Sequence, residues 1–255
     1  MTLRAVFFDL GGTLLHYHDP LQDDPQRAFR RVTLEGIRRL IACLQADGAL
    51  PLSPDEIAAL IDRHIGQAYM TSLQELRGGS IETPIRAALR EAGVALSDER
   101  WADLRRHFYS VIDTIVTPRM GLHETLDALK ARGYRMAIIS NSYWAADLHD
   151  RHLLEHDLLH YFPLRLYSCD TPYMKPHPAI FRQALEALGL EPREAAYVGD
   201  RPDVDIAGAQ SVGMYGVLIE SPYRAEGLGD VVPDAIISEL PELPDALAML
   251  DVPTP

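Results

Sequence analysis

Residues 3–15 read LRAVFFDLGGTLL, and the fold class turns on them. Apart from Arg4 near its start and Asp9 near its end, Leu3 to Leu10 is an apolar run of strand length, the pattern of a strand covered on both faces of a parallel sheet. Gly11-Gly12-Thr13 follows, where glycine lets the backbone turn tightly beside a ligand. A carboxylate is thereby placed at the end of a buried strand.

Outward from this stretch the chain changes character twice. From about Asp24 to Thr117 apolar residues recur at spacings of three and four. Helices are expected over 28–44, 55–69 (opened by Ser53-Pro54), 81–92 and 97–115, with no strand among them. After Pro118 helices expected over 123–132, 145–160, 178–188, 206–212 and 243–250 alternate with strands over 134–140, 165–168, 195–198, 215–219 and 235–237. Such alternation implies right-handed crossovers and a doubly wound parallel sheet, which binds ligands beyond the carboxyl ends of its strands. The expected architecture is an α/β core of residues 1–16 and 117–255, with residues 17–116 forming a helical cap.

Composition narrows the function classes. A chain of 255 residues, 47% hydrophobic and 24% charged, is an ordinary globular sequence able to bury a large core. No stretch approaches the roughly 20 apolar residues of a membrane span, and no secretory leader pattern is evident. Cytoplasmic residence without a membrane partner is the expectation. Cys43 and Cys169 lie far apart and read as reduced, structural thiols. The net charge of −13 argues against nucleic acid as a partner. It leaves an anionic substrate open, because a local cation or metal can reverse the potential in a cleft. Lys130 and Lys175 are the only lysines.

Four polar signals fall where the crevice is expected: Asp9, Ser140-Asn141, Lys175 before Pro176, and Asp200 after Gly199 with Asp205 five residues on. A single strand-end Asp is a common turn residue. Together the four supply a carboxylate nucleophile, a hydroxyl and amides for anion oxygens, one fixed cation, and carboxylates for a hard metal such as Mg2+. That is an inventory for phosphoryl transfer.

The segments FFDLGGTLL (7–15), IISNS (138–142), KPHPAIF (175–181) and VGDRPDVDIAGA (198–209) resemble, in order, the four motifs of the haloacid dehalogenase-like hydrolases. The lead-in GLHETLDALKARGY (121–134) and the helical insert extend the resemblance over essentially the whole chain. It implies that Asp9 attacks phosphorus to form an aspartyl-phosphate, that Ser140 and the Asn141 amide hold phosphoryl oxygens, and that Lys175 neutralises charge. It further implies Mg2+ bound by Asp9, the Gly11 carbonyl and Asp200, with Asp205 reinforcing the site directly or through water and Lys175. The implied substrate is a small phosphorylated metabolite.

One position departs from that pattern. The family's phosphatases carry a second Asp two residues after the nucleophile, as acid and base; here it is Gly11. Loss of a positioned acid–base group typically costs on the order of 10²–10⁴ in rate. Three readings follow: a phosphatase aided by another group or acting on good leaving groups, a protein that binds ligand or holds a long-lived phospho-Asp, and a 2-haloacid dehalogenase-type hydrolase. A phosphonate-cleaving relative would need a cap lysine, and the insert has none.

Other features have simpler readings. His16, His18 and Asp19 can enter the crevice or form a polar loop. His149, His152, His156 and His160, at helical spacing among several acids, read as a solvated face rather than a metal site. Arg77-Gly78-Gly79 reads as a turn that closes over the site or merely joins helices. Asp203 reads equally as a solvent-facing loop residue or as part of the metal site, and Arg201 as a surface arginine or one that attracts phosphate. Arg27, Arg30 and Arg31 read as a charged helix face rather than partners of substrate anions, and Tyr69, Trp101 and Tyr109 as cap packing.

Overall fold

β1 (Ala5–Phe8) is four residues long and wholly buried, and the sheet grows from it on both sides. Val6 and Phe8 join one apolar cluster with Leu122, Leu126 and Leu129, whereas Ala5 and Phe7 join another with Ile180, Phe181 and Leu185. This two-sided burial is why the strand reads as continuous apolar sequence. The computed structural model describes residues 2–17, 25–221 and 229–251.

β2 (Leu15–Tyr17) pairs antiparallel with β3 (Val116–Pro118), tying together the two chain segments that flank the insert. No strand was expected at either place. Three residues are too few to show alternation, and only the partner 100 residues away defines them. The main sheet adds β4 (Arg135–Ser140), β5 (Leu164–Tyr167), β6 (Ala195–Gly199), β7 (Tyr215–Ile219) and β8 (Ala235–Ile237). Its order is β5-β4-β1-β6-β7-β8 and every pairing is parallel. The chain builds outward from β1 through β4 to β5, then crosses back to β6 on the other side of β1. The carboxyl ends of β4, β1 and β6 therefore flank the switch point, where doubly wound sheets bind ligands.

The insert folds as α1 (Pro25–Asp47), α2 (Pro54–Glu75), α3 (Glu82–Glu91) and α4 (Asp98–Tyr109). Ser53 caps α2 through the Glu56 amide while the Glu56 carboxylate accepts from the Ser53 N–H, so two otherwise unpaired donors are satisfied together. These helices share a cluster that includes Leu40, Ile57, Ile61, Leu89, Leu104 and Phe108, and Trp144 and Leu148 from beyond β4 join it. The helical core of the insert is thus continuous with the loop that leaves β4.

The Arg77-Gly78-Gly79 turn docks on the sheet domain. Gly78 donates to the Pro172 carbonyl at 3.2 Å, Met174 donates to Leu76 at 3.0 Å and Ile81 donates to Tyr143 at 2.7 Å. A Cβ at Gly78 would stand 2.0 Å from the carbonyl oxygens of Ser168 and Thr171, so only glycine lets the backbones approach this closely.

Beyond the insert, α5 (Leu122–Ala131), α6 (Ala146–Glu155), α7 (Pro178–Leu188), α8 (Ala207–Ser211) and α9 (Leu243–Leu250) cover the sheet. α6 stops five residues before the expected end at His160, and a separate 3-10 turn covers Leu159–Tyr161. Before α8, Pro202–Ile206 forms a wide π turn in which Ala207 donates to the Pro202 carbonyl. Among the described residues, no helix is long and apolar enough to cross a membrane.

Candidate active site

The sheet register brings the motif residues together. Phe8 lies between Ile138 and Val198, so Asp9 follows β1 level with Ile139-Ser140 and Gly199-Asp200 on the flanking strands. The Asp9 amide donates to the Val198 carbonyl at 2.9 Å, extending the ladder one step past the strand. Lys175 arrives from the loop before α7, through a cis bond to Pro176. Asn141 fixes its backbone from both sides, donating to the Lys175 carbonyl and accepting from its N–H, each at 2.8 Å.

The Lys175 ammonium is the hub. It donates to Asp9 Oδ1 at 2.8 Å, Asp205 Oδ1 at 2.7 Å and the Tyr197 hydroxyl at 2.5 Å, with only 1% of the residue exposed. The Tyr197 hydroxyl in turn donates to the Ile139 carbonyl at 2.6 Å. Burial, then Asp205 and Asp9, hold that phenol well above its ordinary range, so it stays neutral. Burial alone would discharge Lys175, but Asp205 and Asp9 outweigh it and keep the ammonium charged. Asp9 is raised by burial and by Asp205, against the pull of Lys175 and a hydrogen bond to Ser140. Asp205 has both oxygens engaged, the second accepting from the Arg201 N–H at 2.9 Å.

Asp9, Asp200 and Asp205 are all buried and offer carboxylate oxygens within 4.8 Å of one another. Three carboxylates against one ammonium leave excess negative charge in a set made only of oxygen donors, which fits a hard divalent cation such as Mg2+. Gly12 is part of this cradle. It has φ +86°, and a Cβ there would lie 2.5 Å from Asp200 Oδ2. Arg119 holds the same turn, its guanidinium bonding the Gly12 carbonyl at 2.8 Å and the Glu220 carbonyl at 2.7 Å.

Gly11 is different. It is exposed, and a Cβ would meet nothing closer than Tyr17 Cδ2 at 3.7 Å, an ordinary contact. The backbone does not require glycine here, so the missing acid is a chemical departure and not a steric one.

Two of the four histidines are not on a solvated face. His149 and His152 are 3% and 0% exposed, which corrects the sequence reading. The α6 acids that suggested solvent instead pair with arginines: Asp147 with Arg105 at 2.7 Å and Asp150 with Arg165 at 2.8 Å. His149 Nδ1 meets the Tyr17 hydroxyl at 2.8 Å and its Nε2 meets Ser142 Oγ at 2.5 Å, joining β2 to the loop after β4. Burial, then His152, lowers its pKa from 6.5 to about 3. The unfolded chain takes up this proton near 6.5 and the folded one only near 3, so stability is complete above 6.5 and is lost as pH falls through that window. Between pH 7 and 5, His149→Gln is expected to lose about 2 kcal/mol less unfolding free energy than wild type. Urea titrations at both pH values check this, and equal losses would contradict a neutral buried His149.

The structure thus gathers Asp9, Ser140, Asn141, Lys175, Asp200 and Asp205. Asp203 is exposed and pairs with Arg201 at 2.9 Å, outside the carboxylate cluster. His16 lies in β2 opposite Thr117. His18 and Asp19 lie outside the described residues. Trp101 and Tyr109 are buried in the insert, whereas Tyr69 is 40% exposed and so is not simply cap packing. Sequence reasoning did not single out Tyr197 or Arg119. A tyrosine inside an apolar strand carried no signal until Lys175 was seen to reach its hydroxyl.

The chain has relatives among known proteins. Residues 3–213 match the family described as haloacid dehalogenase-like hydrolase. A phosphoserine phosphatase of Thermus thermophilus is 34% identical over 166 residues, which is 64% of this chain and 63% of that protein, so the match leaves over a third of that relative unspanned. A phosphoglycolate phosphatase of Pectobacterium atrosepticum is 32% identical over 76% of this chain and 88% of its own. Among solved structures, a 2-haloacid dehalogenase from Pseudomonas syringae superposes with a TM-score of 0.66 at 25% identity, covering 97% of this chain and 99% of that one.

Proposed function

Because this chain belongs to the haloacid dehalogenase-like hydrolases, we propose that it hydrolyses small phosphomonoesters with Mg2+, carrying the phosphoryl group on Asp9. The observation that carries the proposal is the buried ammonium of Lys175 held between Asp9 and Asp205, with the Lys175 backbone fixed by the side chain of Asn141. In this reading residues 1–16 and 117–255 are the catalytic core and residues 17–116 the cap that selects the substrate.

Asp9 attacks phosphorus, a new O–P bond forms, and the bond to the leaving oxygen breaks with its electron pair on that oxygen. Ser140 and the Asn141 amide hold the phosphoryl oxygens, and Lys175 offsets charge on nucleophile and phosphoryl group. Water then attacks phosphorus, the Asp9 O–P bond breaks with its electron pair on the carboxylate, and the water's proton passes to solvent as phosphate departs. Asp9, the Gly11 carbonyl and Asp200 would hold Mg2+, which supplies charge neutralisation on the phosphoryl oxygens. With both oxygens of Asp205 already engaged, its part is to position Lys175 and the Asp200 turn. Phosphoryl transfer gains chiefly from such positioning and charge stabilisation.

A panel of phosphate esters assayed with Mg2+ on wild type and Gly11→Asp tests this. Wild type is expected to release phosphate from activated esters. Gly11→Asp, which the backbone admits, should raise turnover of unactivated alkyl esters by on the order of 10²-fold. No turnover by either protein would sink the phosphatase reading in favour of a ligand-binding descendant. Halide release without metal would favour a dehalogenase.

A further inference from the structure

The surface beside the loop that would hold the phosphoryl group has a composition of its own. Between α2, the Gly78 turn and the loop after β4 lies a cavity of about 220 Å³. Asn141 and Ser142, immediately beyond Ser140, form part of its lining, so the cavity opens from the loop that would hold the phosphoryl group. Its apolar walls are Phe29, Tyr69, Leu73, Tyr143 and Met174. Phe29 and Tyr69 stack with ring centroids 6.3 Å apart at 29°, and Tyr143 meets Tyr69 edge-on at 5.6 Å. Tyr69 and Leu73 nevertheless keep 40% and 39% of their surface exposed. Aromatic walls with a few polar groups, Arg77 and Arg201 among them, are the usual make-up of a small-molecule site.

Size and shape narrow the occupant. An apolar cavity of about 150 Å³ is enough to hold benzene, so 220 Å³ accepts one six-membered ring with a substituent. Aromatic walls favour a flat ring through stacked and edge-on contacts. A two-carbon acid would leave most of this surface wet.

A separate feature points the same way. Gly11 offers no proton to the leaving oxygen. A phenol ionises near ~10, whereas an aliphatic alcohol is closer to bulk water at about 15.7. A phenolate therefore departs without the acid that an alkoxide requires. We propose that the substrates are phosphate monoesters of monocyclic phenols, with the ring in this cavity; this rests on the phosphatase reading above. Asp9 forms the O–P bond, the P–O(aryl) bond breaks, and the phenolate leaves with its electron pair and takes its proton from solvent.

The test compares phenyl phosphate, benzyl phosphate, phosphoglycolate and acetyl phosphate on wild type, Tyr69→Ala and Gly11→Asp, with Mg2+. Phenyl phosphate carries both ring and good leaving group, benzyl phosphate the ring alone, acetyl phosphate the good leaving group alone, and phosphoglycolate neither. Wild type should favour phenyl phosphate over benzyl phosphate and phosphoglycolate by on the order of 10²-fold in kcat/KM. Tyr69→Ala should cut the phenyl-to-acetyl ratio about tenfold; a ratio taken within one protein is insensitive to any misfolded fraction. Gly11→Asp should close most of the phenyl-to-benzyl gap. Turnover of acetyl phosphate with no preference for phenyl phosphate, or a ratio unmoved by Tyr69→Ala, overturns the inference and leaves the phosphatase reading standing. No turnover of any ester removes both.

Discussion

Asp9→Asn is expected to lower phosphate release by on the order of 10⁴–10⁶-fold, the scale seen when a covalent nucleophile is removed. An amide has the volume of the carboxylate and still presents an oxygen to Lys175, but it cannot attack phosphorus. The fold should survive, because Lys175 keeps Asp205 at 2.7 Å and Tyr197 at 2.5 Å. The stability change should stay within about 1.5–3 kcal/mol, the range for a hydrogen bond to a charged group. Steady-state assays beside urea unfolding separate the two effects. Retained activity in a folded Asp9→Asn protein would remove Asp9 from the chemistry.

Lys175→Met is expected to damage activity and stability together. The side chain is 1% exposed, and its ammonium is the only cation touching both Asp9 and Asp205 among the described residues. Methionine fills the volume but strands two buried carboxylates. Breaking one side of a buried charge cluster costs about 3–5 kcal/mol. Activity should fall at least on the order of 10²–10³-fold, since a fixed charge facing the transferred group is lost. The second variant Asp205→Asn distinguishes the roles. It keeps an acceptor for Lys175 and should lose activity with a smaller loss of stability. Lys175→Met with wild-type stability would mean that the charges are not coupled as the distances indicate.

Much of this was legible in the sequence, for physical reasons that differ from residue to residue. A doubly wound sheet leaves a strong trace because β1, β6 and the middle of β4 are covered on both faces and so carry apolar runs. The site was legible because its groups sit at strand ends, where local pattern and chemistry coincide. Asp9 and Asp200 each follow a readable strand, and Ser140 ends one. What escaped depends on partners remote in sequence. β2 and β3 exist only as a pair, Leu15 opposite Pro118. His149 and His152 looked solvated because their neighbours are acidic, yet those acids are neutralised by Arg105 and Arg165 from other elements. Tyr69 looked like packing because nothing in a helical repeat says that one face ends at a cavity. Gly11 and Gly12 are adjacent and identical in sequence, and only the structure separates them. One is required by Asp200 at 2.5 Å, and the other has room for a side chain.

The central claim is that Asp9 carries the phosphoryl group. It is tested most directly by acid-quenching the wild-type protein during turnover of phenyl phosphate with Mg2+ and mapping the modified peptide by mass spectrometry. One phosphoryl group on the peptide containing Asp9, absent from Asp9→Asn, is the expected result. Steady hydrolysis with that peptide unmodified, or a phosphoryl group elsewhere in the chain, would contradict it.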